Sequence, residues 1–147
     1  VIYQMRLLME KYVLLAMFSQ VLLTFTVMVV MGRRRFSAAR NKTITMQDFA
    51  TMQLNNAGDD VHIAGRNFIN QFEIPVLFFV ACLAALQLNA AGYVFITLAW
   101  GFVISRVIHS IIHLGSNSVK PRYYSFLLGC LLVLTMWVLL VMRVFAL

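Results

Sequence analysis

Four apolar runs, each close to twenty residues long, limit the fold of this chain more than any other feature of it. They cover residues of about 12–31, 65–86, 93–113 and 123–144. A hydrocarbon core of about 30 Å is crossed by roughly 20 helical residues. Lipid offers no hydrogen-bond partner to a bare backbone, so a spanning segment is a helix or a strand of a closed barrel. The alternation of period two that marks a barrel strand is absent. The expectation is an all-α membrane protein, a single four-transmembrane-helix bundle over residues 1–147. Composition agrees, since 62% of residues are hydrophobic and 12% charged, against roughly 45–50% apolar in a soluble domain. The first run is too long for the apolar core of a signal peptide and no small-residue cleavage site follows it, so it is expected to stay in the protein.

The formal charge of +7 would point to nucleic acid in a soluble protein, but here its distribution reads as topology. Arg33, Arg34, Arg35, Arg40 and Lys42 follow the first run, while Lys120 and Arg122 precede the fourth. The loops 33–64 and 114–122 are therefore expected on the cytoplasmic side, with both termini opposite; Arg6, Lys11 and Arg143 stand on that other side. The run Arg33 to Arg35 reads as a membrane-surface anchor that also attracts anionic head groups or an anionic ligand. The stretch 33–64 reads as a long polar connection, a binding loop or a disordered one, holding a short helix near Thr45–Leu54 capped by Thr45 with Asp48 at the third helical position. Gln20 lies near the middle of the first span, where its amide should meet another helix. Cys82 and Cys130 sit inside apolar runs without the spacing of a metal or redox motif.

The chemistry gathers in two polar stripes. Arg66, Asn70 and Glu73 stand at i, i+4 and i+7 where the second span begins, so one helical face carries all three. Pro75 follows two residues later and should kink that helix beside the stripe. Arg106, His109 and His113, at i, i+3 and i+7, share a face at the end of the third span. A charge at the bilayer centre costs roughly 2.5–3.5 kcal/mol on insertion scales, so these faces should turn toward protein or a polar ligand. Topology puts both stripes at the same depth, with Arg122 opening the fourth span beside them. Three guanidinium forks against one intramembrane carboxylate leave positive charge for an anion, while Glu73 suits a ligand ammonium or one of the arginines. His109 and His113 lack a third ligand of suitable spacing, so no metal is expected. A channel is disfavoured because the polar groups stop within one leaflet.

The order Arg66-x-x-x-Asn70-x-x-Glu73, then Arg106-x-x-His109-x-x-x-His113-Leu-Gly, a short loop with Pro121, and Arg122 resembles the membrane-associated proteins in eicosanoid and glutathione metabolism. Within that family it is most similar to the prostaglandin E synthase and microsomal glutathione transferase branch and its bacterial members. The resemblance implies a homotrimer that binds glutathione between neighbouring subunits near the cytoplasmic face. It implies that Arg66, Asn70, Glu73 and His109 hold the tripeptide, with Arg106, His113 and Tyr123 as further contacts. A first-helix arginine, Arg34 or Arg35, would lie near its carboxylates. Arg122 would be the catalytic group, activating the thiol against a hydrophobic electrophile or lipid peroxide that arrives from the bilayer. Because the family includes a member that binds lipid and activates a lipoxygenase, the alternative is a non-catalytic accessory subunit that binds a lipid or a partner, alone or in a larger membrane complex.

Overall fold

The computed structural model describes residues 2–145 and consists of helices. In chain order they are α1 (Ile2–Arg40), α2 (Met46–Thr51), α3 (Asp59–Asn70), α4 (Ile74–Gln87), α5 (Tyr93–Leu114) and α6 (Val119–Phe145). Four helical stretches are long and apolar enough to cross a membrane: α1, the α3–α4 pair, α5 and α6. The expected all-α membrane bundle is the fold found.

The core is built from small residues and a few rings. Ala16, Ala81, Ala85 and Ala99 are fully buried with Val13, Phe78, Phe102 and Met136. Alanine lets helix backbones approach closely, which matters where lipid tails supply no hydrophobic drive for helix association. Phe78 stacks on Phe102 with ring centroids 4.5 Å apart. Outward, Leu14, Phe18, Leu83, Leu131 and Leu134 are exposed, as a face turned to lipid or to another subunit requires.

Two boundaries differ from the sequence expectation. Residues 33–40, expected in the polar connection, continue α1, which is 39 residues long. At 1.5 Å per residue it measures about 58 Å, so it runs well beyond a 30 Å hydrocarbon core. Gly32 does not stop it, because one glycine costs only ~1 kcal/mol in a helix and the arginines and alanines that follow are good helix formers. The helix ends instead at Arg40, and the chain turns at Lys42, whose φ is +57°.

The second span is not a kinked rod but two helices. The pyrrolidine ring of Pro75 would clash with the carbonyl four residues back, which is that of Gln71. There α3 ends, and α4 restarts at Ile74 with the proline in its first turn. Phe72 and Glu73 form the joint, with Glu73 as the N-cap residue of α4. Asn70 and Glu73 thus flank a break in the helix instead of sharing an uninterrupted face.

The short helix in the connection is present as α2, and its cap is the one the sequence suggests. The Thr45 hydroxyl accepts from the Asp48 amide, and the Asp48 carboxylate accepts from the Thr45 amide at 2.7 Å. Beneath it Ala38, Ile44, Leu54 and Val61 form a satellite core with Phe49 packed against it.

Arg34 ties one end of the bundle together. Its guanidinium donates to the carbonyl of Asp60 at 3.0 Å and to that of Leu114 at 2.8 Å. The end of α1, the start of α3 and the end of α5 therefore lie at one level. At the other end, the start of α5 lines clefts with Leu8 and Met9 of α1 and with Arg143 of α6.

Candidate functional site

Where α3 breaks, its last carbonyls lose their helical partners, and Arg106 of α5 fills one gap: its Nη2 donates to the Asn70 carbonyl at 2.9 Å. A cation at a helix C-terminus also opposes the negative end of the helix dipole. Arg106 is fully buried, and its Nε and Nη1 have no hydrogen-bond partner among the described residues. Its guanidinium carbon lies 5.8 Å from the centre of the Phe126 ring. Arg106 thus stands behind the site, holding the break, and does not line the cavity.

His109, one turn further along α5, joins three helices. Its Nδ1 is 3.1 Å from the Arg122 carbonyl, which can only accept, so Nδ1 carries the proton. The Ser125 hydroxyl donates to the same carbonyl at 2.9 Å. Nε2 is then the acceptor for the Asn70 amide, 3.5 Å away. His113, one turn beyond, is also buried and meets His109 edge to face with centroids 5.5 Å apart. Its Nδ1 has no hydrogen-bond partner among the described residues.

Arg122 opens α6, and its Nη1 donates to the Asn117 side chain. Asn117 sits in the turn between α5 and α6 with φ of +49°, a conformation asparagine tolerates better than most residues. The guanidinium is thereby held at the mouth of a cavity of about 470 Å³, within the range of roughly 300–1,000 Å³ typical of ligand clefts. Arg66, Asn70, Glu73, His109, His113, Arg122 and Tyr123 line it, with Ile69, Val119 and Phe126 as apolar wall. The two stripes do come together.

The charges in this cavity are not spent on one another. Among the described residues the one ion pair is Arg6 with Glu10, at the far end of α1. Among those residues Arg66, Arg106 and Arg122 have no carboxylate within 4.0 Å, and Glu73 has no cation within that distance. Arg34 and Arg35 lie outside the cavity of their own chain: Arg34 ends on the Asp60 and Leu114 carbonyls, and the Arg35 Nη2 points at Gly65.

Sequence reasoning missed the groups that position the site. Asn67, Gln71 and Ser110 form a buried network in which Gln71 Nε2 donates to the Asn67 side chain at 3.1 Å and to the Ser110 hydroxyl at 3.2 Å. Gln20 donates to Gln71 Oε1 at 3.0 Å, the interhelical contact expected of it. Asn67 and Gln71 stand four apart at the C-terminal end of α3, with Gln71 as its cap residue, a spacing that could have marked a second polar face. Asn117 and Ser125 carried no signal, since their role depends on how the α5–α6 turn folds.

No curated protein and no solved structure matches this chain. The family model for the MAPEG family, whose members commonly use glutathione, matches residues 13–142. That match reaches into all four membrane-spanning stretches and takes in every residue of the cavity lining, and so the chain belongs to the MAPEG family, as a multi-pass integral membrane protein of the glutathione-related or eicosanoid-metabolism class.

Proposed function

We propose that this protein is a glutathione-dependent transferase or peroxidase that acts on a hydrophobic electrophile or a lipid peroxide. One observation carries the reading. A single cavity holds two guanidinium groups and one carboxylate, none paired with an opposite charge among the described residues, in stretches apolar enough to cross a membrane, where uncompensated charge is costly. Glutathione has two carboxylates and one ammonium, the complement of that set. Arg66 and Arg122 take its carboxylates and thiol end, Glu73 its ammonium, and Asn70 and His109 its amides, with His113 and Tyr123 as further contacts. Arg106 acts on this ligand through the Asn70 backbone.

Arg122 is the activating group. A free thiol with pKa ~8.5 is mostly protonated at neutral pH, and a nearby cation shifts it toward the nucleophilic thiolate. The apolar residues Ile69, Val119 and Phe126 beside it suit an apolar second substrate that enters from the lipid. The protein is a homotrimer in this reading, with the α1 end, the connection to α3 and the α5–α6 turn on the cytoplasmic side. A first-helix arginine, Arg34 or Arg35, reaches the tripeptide only from a neighbouring copy.

Calorimetry with glutathione in detergent tests this. Wild type is expected to bind, and Arg122→Ala and Glu73→Ala are each expected to weaken binding by roughly ten- to a hundredfold, about 1.4–2.7 kcal/mol. A wild type that takes up no glutathione removes the proposal.

Phe126 favours a second reading. It lines the cavity about two turns into α6, where the eicosanoid-forming relatives carry a tyrosine, and His113 likewise replaces a tyrosine. A non-catalytic subunit that binds a lipid or a partner would keep the fold without needing those hydroxyls. Ultraviolet thiolate absorbance on adding glutathione separates the two, because only an activating site ionises the thiol near neutral pH.

A further inference from the structure

We propose that the cleft between the C-terminal end of α1 and the short helix α2 binds one anionic phospholipid, with an acyl chain along the groove and the phosphate on Arg35. The groove, of about 370 Å³, is lined by Met31, Gly32, Phe36, Met46 and Phe49, with Arg35 as its one charged group. Five apolar positions around a single cation match an amphiphile with one negative charge, and they match neither a small soluble anion nor an extended acidic chain.

Three further observations point the same way. The Arg35 Nε is buried without a hydrogen-bond partner, and no carboxylate lies within 4.0 Å of its guanidinium among the described residues. Asp48, the acid on α2, is engaged with Thr45 instead. Phe36 is 78% exposed and Met46 82% exposed, inside a stretch otherwise rich in Arg, Asn and Asp. Large apolar side chains set among cations are the pattern of a surface that lies in the headgroup region of a membrane.

The groove is also preformed. Phe49 packs on the satellite core of Ala38, Ile44, Leu54 and Val61, so α2 is pinned to α1 without any lipid. Its level fits as well, because α1 is longer than a bilayer is thick and its last turns carry Arg33, Arg35 and Arg40 where they emerge. The phosphate anchors the lipid and the apolar wall selects it over a free anion.

Native mass spectrometry of the full chain, released from nanodiscs holding equal amounts of phosphatidylglycerol and phosphatidylcholine, tests this with no glutathione present. The readout needs no ligand in the larger cavity, and with Arg35 on a phosphate, Arg34 is the first-helix arginine left for a neighbouring copy's tripeptide. Wild type is expected to carry phosphatidylglycerol about fivefold or more in excess of phosphatidylcholine. Arg35→Gln should bring that ratio near one, and inorganic phosphate at tens of millimolar should not displace the lipid. Should Arg35→Gln yield no folded protein, Phe36→Gln, at an exposed position, carries the comparison and should lower total lipid retention several-fold. Equal retention of the two lipids by wild type overturns the proposal. So does an excess of phosphatidylglycerol that survives these substitutions, or one that phosphate abolishes.

Discussion

Single side chains decide the cavity's shape through hydrogen bonds that sit behind its lining. His109 is locked in one tautomer by the Arg122 carbonyl and presents its free ring nitrogen to Asn70. Gln71 does comparable work on the other side of α3, where it meets Gln20, Asn67 and Ser110. Removing it strands several polar atoms in a place without water, whereas removing Gln20 strands fewer. Gln71→Leu is therefore expected to destabilise the protein by about 1–3 kcal/mol. Gln20→Leu should cost nearer ~0.6 kcal/mol, the average for an interhelical hydrogen bond in a membrane protein. Denaturation in mixed micelles measures both, and equal losses would show that Gln71 is no hub.

At the scale of elements, the break between α3 and α4 is the device that turns a polar stripe into a site. It frees the Asn70 carbonyl for Arg106 and places Glu73 at a helix start. Pro75→Ala removes the clash with the Gln71 carbonyl and lets the two helices join. Glutathione affinity is expected to fall about tenfold while helical circular dichroism holds or rises slightly. An unchanged affinity would mean that the break does not set the Glu73 position. The cap of α2 gives a pH-dependent expectation. Hydrogen bonds from the Thr45 amide and then from its hydroxyl hold the Asp48 carboxyl below its usual range. A carboxylate lowered in the folded state adds stability above its unfolded pKa and loses it as pH falls through the folded value. Amide exchange in α2, corrected for intrinsic rates, should therefore quicken below about pH 4, and Thr45→Ala should show the quick rate already at neutral pH.

The whole molecule carries a consequence that a single chain does not complete. The cavity opens at one end of the bundle, and Phe18, Leu83, Leu131 and Leu134 leave wide apolar faces on the outside. In the proposed assembly three copies cover part of those faces and bring a first-helix arginine to each cavity. Light scattering corrected for bound detergent should give three times the mass of the 16.8 kDa chain, and a monomeric mass in every detergent that preserves glutathione binding would rule that assembly out. Sidedness has its own check. A cysteine at Asn56, in the connection before α3, should react with a membrane-impermeant maleimide only after the cytoplasmic face is opened.

Much of this was legible in the residues, for reasons that differ in kind. Apolar length and the lack of backbone partners in lipid dictate four helices whatever they pack against, and helical spacing alone puts Arg66 with Asn70 and Arg106 with His109 on shared faces. The Thr45–Asp48 cap is equally local, so it too could be read from the string. The run of α1 on to Arg40 has a local cause as well, since helix formers tolerate one glycine, although its arginines read as the start of a loop. Tertiary structure alone decided that Arg106 meets the Asn70 carbonyl at the break and backs the cavity, and that Gln20 and Ser110 meet Gln71. Those outcomes depend on which carbonyl is left bare and which side chain from another helix arrives to meet it, and such meetings are settled in space between segments far apart along the chain.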